Sequence, residues 1–192
     1  MFEDKNYTEI VEFSEYIPDN LDKTVSRVVE LLKQREMTIA TAESCTGGLL
    51  SSLLTSVDGA SSVFECGVCS YANRIKHRLL HVPQQILEQH SAVSRQTARA
   101  MLDGIYELSN ADLCVSVTGY AGPQGGTKDD PVGSIYIGFR LRDKYQIYHL
   151  NLWRSTGKGR IFNRNMAAAF VFQTAEKVLM EDNNEQRTRR NS

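Results

Sequence analysis

Short apolar runs of strand length alternate with longer stretches of helical period, and this alternation limits the fold more than any other feature of the chain. Thr38-Ile39-Ala40-Thr41 reads as one strand, the stretch from Val63 to Tyr71 holds a second, and Asp112 to Val117 is a third. Between them, Leu21, Val25, Val28, Val29 and Leu32 recur at helix spacing, and Leu49, Leu50, Leu53 and Leu54 share one side of another helix. Asn73 to His90 reads as two short helices split by Pro83. Ser94 is placed to cap a helix carrying Ala98, Met101, Leu102 and Ile105. Gly133–Arg140 and Tyr145–Trp153 read as strands joined through Arg142-Asp143-Lys144, a hairpin. The last helix runs from about Arg160 to Met180, with Ala168, Val171, Phe172, Ala175, Val178 and Leu179 as its apolar stripe. Strands alternating with helices and ending in a hairpin predict an α/β fold, a three-layer α/β/α sandwich with a mixed sheet.

The 192 residues suffice for one domain with extensions and a core that needs no staples. Residues 1–20 carry six acids against one lysine and read as an acidic N-terminal extension. Residues 21–181 form the domain, and 182–192 read as a disordered polar tail. A net charge of −1 gives no field for nucleic acid. No apolar run is long enough to span a bilayer, and the acidic N-terminus is unlike a signal peptide, so the expectation is a soluble, cytoplasmic protein. Cys66-Gly-Val-Cys69 matches C-x-x-C, but in a strand the two thiols face opposite sides, so packed thiols are expected rather than a metal or redox pair.

TAESCTGG, residues 41–48, leaves a strand through a carboxylate, two hydroxyls, a thiol and two glycines. Glycines let backbone N–H groups approach a ligand, and a helix N-terminus favours negative charge. A hydroxyl just upstream of such donors suits acyl transfer. The same turn also suits a bound phosphate or an ordinary capped connection, and spacing does not choose among them. His77 and His81 lie four apart beside Lys76 and Arg78, with no carboxylate near, and read as surface histidines. Lys76, in YANRIK at the exit of the next strand, could curl back to the turn as a base, since desolvation lowers a lysine pKa. A solvated helix lysine is the plainer reading. Thr118-Gly119-Tyr120-Ala121-Gly122-Pro123-Gln124-Gly125-Gly126 is a glycine loop able to cradle phosphate or to be a plain surface loop. Arg160 and Arg164 sit four apart at a helix start, against the dipole, which points to an anionic partner.

Taken in order, TAESCTGG, YANRIK, Ala92-Val93-Ser94, TGYAGPQGG and Pro131-Val132-Gly133 closely resemble the CinA C-terminal domain family, over about Leu21 to Leu179. That family includes the nicotinamide-nucleotide amidohydrolases. The resemblance implies deamidation of nicotinamide mononucleotide (NMN) to nicotinate mononucleotide and ammonia by a serine–lysine pair, without metal or cofactor, commonly in a homodimer. By motif position the serine is Ser44 and the lysine Lys76, with Tyr71 aligning the amine. Glu43, Thr46 and Asn73 take neighbouring polar positions, amides near Thr46, Gly47 and Gly48 hold the oxyanion, and the arginines are Arg160 and Arg164. The loop of Thr118, Gly119, Gly122, Gly125 and Gly126 would grip the phosphate with them. A catalytically silent nucleotide-binding module is the alternative, and Cys45 is a rival nucleophile. The chain departs from the family pattern at Ala72 and Tyr120, and at His81 and Ser91, where glycine is usual. It departs again at Asp130, whose charge in the loop is expected to weaken phosphate binding.

Overall fold

A computed structural model describes residues 8–11, 20–152 and 159–190, with 8–11 and 183–190 as main chain. The elements run β1 (Thr8–Val11), α1 (Leu21–Gln34), β2 (Ile39–Glu43), α2 (Leu49–Thr55), β3 (Phe64–Cys69), α3 (Asn73–Leu80), α4 (Gln84–His90), α5 (Arg95–Ser109), β4 (Leu113–Gly119), β5 (Ser134–Leu141), β6 (Lys144–Asn151) and α6 (Arg160–Arg190). They form one six-stranded sheet in the order β1-β6-β5-β4-β2-β3. Strands β3, β2 and β4 are mutually parallel, β4-β5-β6 is antiparallel, and β1 joins β6 in parallel. The expected mixed sheet is the observed one.

Two apolar layers flank the sheet. Val25, Val28, Val29 and Leu32 of α1, Leu50 and Leu54 of α2, and Met166 to Leu179 of α6 pack on one face. Leu80 of α3 and Ala98, Met101, Leu102 and Ile105 of α5 pack on the other. All five residues of β2 are buried, as a parallel strand covered on both faces must be. Each fully buried Leu or Ile in these layers contributes about 1.5–3 kcal/mol over its exposed state. Helix α5 lies so close to α3 that a Cβ on Gly104 would stand 2.0 Å from the Leu80 carbonyl oxygen. The Ser94 cap forms as read, accepting from the Thr97 amide at 3.1 Å.

Two boundaries differ from the sequence reading. The acidic segment is not merely appended: Thr-Glu-Ile-Val, rich in β-branched residues, supplies the edge strand β1, because β6 presents an open parallel partner. At the other end the helix does not stop near Met180. No glycine or proline follows Gly159, so nothing in the backbone ends α6, and it continues to Arg190. Asp182, assigned to the polar tail, is buried and receives hydrogen bonds from Arg35 at 3.5 Å and Arg142 at 3.3 Å, which fix it to the domain. Trp153 lies outside the described residues.

Candidate active site

The parallel strands β3, β2 and β4 all end at the same edge of the sheet, and their exits build the site. Glu43 closes β2. Its side chain is fully buried, and its carboxylate accepts the amides of Gly48 (3.0 Å) and Leu50 (3.1 Å) on Oε2, and the Ser51 amide (2.9 Å) and hydroxyl (2.8 Å) on Oε1. Helix α2 has no cap from its own N-cap residue, Gly48, so Glu43 satisfies the first-turn donors instead. The carboxylate is thus committed to the turn, and the expected substrate contact at Glu43 is replaced by a structural one. The tight path is open because Gly47 and Gly48 take φ of +61° and +90°.

This capping also changes which amides are free. Gly48 donates to Glu43, and Gly47 donates to the Ser44 carbonyl at 3.1 Å. The amides of Cys45 and Thr46 donate to no other residue among those described. They, rather than the glycine amides, are the available donors beside Ser44. The Thr46 hydroxyl is buried and has no hydrogen-bond partner among the described residues.

Lys76 comes from α3, 32 positions after Ser44, and is almost wholly buried. Its Nζ lies 3.0 Å from Ser44 Oγ, 2.7 Å from the Ser70 carbonyl and 3.2 Å from the Tyr71 carbonyl. The Ser70 amide in turn donates to the Glu43 carbonyl at 2.8 Å, so the two strand exits are zipped together under the lysine. Burial lowers the Lys76 pKa to about 8, against weaker opposing effects of the Cys45 and Cys69 thiols. A neutral amine has two N–H bonds and one lone pair. Two carbonyls take the N–H bonds, and the lone pair is left to the Ser44 hydroxyl. Ser70 was not singled out from the sequence, since its contribution is a main-chain carbonyl.

Tyr71 is exposed, and only its carbonyl meets Lys76. Its hydroxyl accepts from Arg160 Nη2 at 3.1 Å, so Tyr71 aligns the amine through its carbonyl and not through its hydroxyl. Arg160 also donates from Nη1 to the Gly122 carbonyl at 2.9 Å. Arg164 donates to the Thr46 carbonyl from Nε (3.2 Å) and Nη2 (2.6 Å). Among the described residues neither guanidinium has a carboxylate partner. Asn163, between them, donates to the Ala121 carbonyl at 3.0 Å. Helix α6 therefore holds both loops from one face, a role for Asn163 that its i+3 spacing from Arg160 signals.

The glycine loop lies beside this face, with φ of +87°, +93° and +83° at Gly122, Gly125 and Gly126. Thr118 and Gly119 belong to the end of β4: the Thr118 hydroxyl donates to the Ala92 carbonyl at 2.6 Å, and a Cβ on Gly119 would collide with Ile135. They shape the loop's root rather than its open side. Asn73 is exposed at the start of α3, with no hydrogen bond to the turn. Asp130 accepts the Tyr136 hydroxyl at 2.9 Å and lies 3.5 Å from His149 Nε2, so its carboxylate has partners on β5 and β6. His81 and Ser91, where the resemblance implies glycine, both adopt positive φ, +51° and +65°.

Cys45 is buried, and burial raises its thiol pKa to about 12, which disfavours the thiolate a nucleophile needs. Cys66 and Cys69 lie on opposite faces of β3, one half-buried and one exposed. Among the described residues no three His, Cys, Asp or Glu side chains cluster for a metal, and no helix is long and apolar enough to cross a membrane.

Residues 21–179 match the CinA C-terminal domain. The chain belongs to that family. A putative competence-damage inducible protein of Caldanaerobacter subterraneus subsp. tengcongensis is 46% identical over 143 residues, which cover 74% of this chain and 34% of the relative. A CinA-like protein of Thermotoga maritima is 41% identical over 160 residues, or 83% of this chain and 38% of the relative. This CinA-family chain thus spans about a third of the length of the curated relatives it matches. Among solved structures, a competence-damaged protein (CinA) superfamily protein from Klebsiella pneumoniae superposes with a TM-score of 0.79 at 28% identity, over 85% of this chain and 99% of that one. The competence/damage inducible protein CihA from Agrobacterium tumefaciens gives 0.77 at 32% identity, over 88% and 99%.

Proposed function

We propose that this CinA-family chain is an amidohydrolase that converts NMN and water to nicotinate mononucleotide and ammonia through a serine–lysine acyl-enzyme. The observation that carries the reading is the 3.0 Å contact between the buried Lys76 amine and the Ser44 hydroxyl. A hydroxyl needs a base within hydrogen-bond reach, and a lysine held near neutrality by burial is such a base.

Neutral Lys76 takes the Ser44 proton as Oγ attacks the carboxamide carbon. The developing oxyanion meets the Cys45 and Thr46 amides, each donor being worth about 3–4 kcal/mol in comparable sites. Protonated Lys76 returns its proton to the departing nitrogen, and the C–N bond breaks to release ammonia. Water then enters, Lys76 takes its proton as the water oxygen attacks the ester carbon, and the C–Oγ bond breaks as Lys76 passes that proton to Ser44, which frees the acid and restores the neutral amine. Arg160 and Arg164, cationic and without carboxylate partners, suit the substrate's phosphate. Choice of NMN rests on the family resemblance and on that anion-seeking pair. A cytoplasmic homodimer belongs to the same reading, and light scattering tests the assembly.

The test is ammonia release over a panel of nicotinamide nucleotides. Ser44→Ala is expected to abolish it and Lys76→Ala to lower it by about 10⁶-fold, as loss of a nucleophile or its base does elsewhere. Full turnover by the Ser44 variant sinks the mechanism. NMN bound without ammonia released identifies a nucleotide-binding module instead.

A further inference from the structure

We propose that Asn163 is a positioning residue that anchors the glycine loop independently of the anion, an assignment that rests on the amidohydrolase reading of the site. Between residues 121 and 126 the loop has two hydrogen bonds among the described residues, both to carbonyls and both from α6: Arg160 to Gly122 and Asn163 to Ala121. Pro123 fixes one φ in this stretch, but the three glycines at positive φ leave the rest with little stiffness of its own, and glycine loses more conformational freedom on ordering than any other residue.

The two ties differ in kind. Arg160 is a half-exposed cation without a carboxylate partner, and its guanidinium is one of the groups the substrate's phosphate would recruit. When an anion competes for those donors, the tie to Gly122 weakens. Asn163 is buried, uncharged and out of an anion's reach, so its tie to Ala121 persists. Ala121 itself is buried in the core cluster, which makes this point the loop's root. The loop is then presented to the phosphate in one arrangement, and binding does not have to order it.

The experiment compares the wild-type chain with Asn163→Leu, which keeps volume and removes the donor. It reads hydrogen–deuterium exchange, by NMR and without ligand, of the Tyr120 and Thr127 amides, the two hydrogen-bonded amides that flank the loop, and kcat and KM for ammonia release from NMN. Exchange is expected to rise about tenfold at those two amides and not in the rest of the sheet, as local opening becomes easier. KM is expected to rise about tenfold with kcat within about twofold, the split that marks lost binding rather than lost chemistry. Unchanged exchange overturns the proposal whatever the kinetics, and so does a fall in kcat at constant KM. Should the wild type release no ammonia, the amidohydrolase reading fails, while the exchange comparison still decides whether Asn163 anchors the loop. Asn163→Ala carries the same comparison if the leucine variant does not fold.

Discussion

Replacing Glu43 by Gln separates a capping carboxylate from a substrate ligand. The carboxylate accepts four donors, two on each oxygen, in a site closed to water. An amide keeps one acceptor oxygen and turns the other into a donor. Placed on the Oε2 side, the NH₂ group faces the Gly48 and Leu50 amides, and both are orphaned. Placed on the Oε1 side, it faces the Ser51 amide and hydroxyl. The hydroxyl can rotate to accept, and Thr41 Oγ1 at 3.1 Å takes its proton. The second orientation is therefore adopted, and one buried amide is left without an acceptor. Such an orphan costs about 1–3 kcal/mol, and the exchange of charged for neutral hydrogen bonds adds to it, so a loss of about 2–4 kcal/mol is expected. Glu43→Ala strands every donor and leaves a cavity, for about 4–5 kcal/mol. Urea unfolding followed by far-ultraviolet circular dichroism measures both. Two variants within about 0.5 kcal/mol of wild type, the range of an ordinary surface change, would refute the capping role.

The remaining predictions concern the base, the thiol and the helix contact. Catalysis by neutral Lys76 makes kcat/KM rise with pH and level off above about 8, and a profile flat from pH 6 to 9 contradicts it. The same lysine binds its proton less tightly when folded than its ordinary 10.5, so stability rises with pH between about 8 and 10.5 and is level below that window; Lys76→Met removes the slope from urea titrations. Cys45→Ala is expected to retain ammonia release within about threefold, since a buried thiol of raised pKa does no chemistry, and a loss like that of Ser44→Ala would restore the thiol as nucleophile. Gly104→Ala drives a methyl into the Leu80 carbonyl and is expected to lower stability by about 3 kcal/mol in thermal unfolding.

Much of this site was legible because its pieces carry local signals. A turn with two adjacent glycines, Gly47 and Gly48, advertises left-handed backbone, and arginines four apart advertise a shared face. The parallel order of β3, β2 and β4 then does the rest, bringing Ser44 and Lys76 together. What escaped the sequence depends on partners rather than residue types. Glu43 has the chemistry of a ligand-binding group, and only the packing of α2 reveals that helix donors exhaust it. Tyr71 aligns Lys76 through its carbonyl, an atom every residue has, while its hydroxyl turns to Arg160. The strand Thr8–Val11 lies in an acidic stretch whose composition outweighs its three β-prone residues, until an open edge on β6 selects them. The positive φ of His81 and Ser91 is invisible in residue identity, although it is backbone that glycine adopts most easily.

The contributors to the centre are scattered along the chain: Ser44 follows β2, Lys76 lies beyond β3, the glycine loop follows β4, and the arginines open α6. No fragment holds more than a part of it, and a partly assembled chain has no weakened version of the pocket to offer. Recovery of turnover after dilution from denaturant should therefore coincide with the last long-range closure, α6 docking across the finished sheet, rather than with early helix formation. Turnover would then be a chemical clock for the completion of the fold.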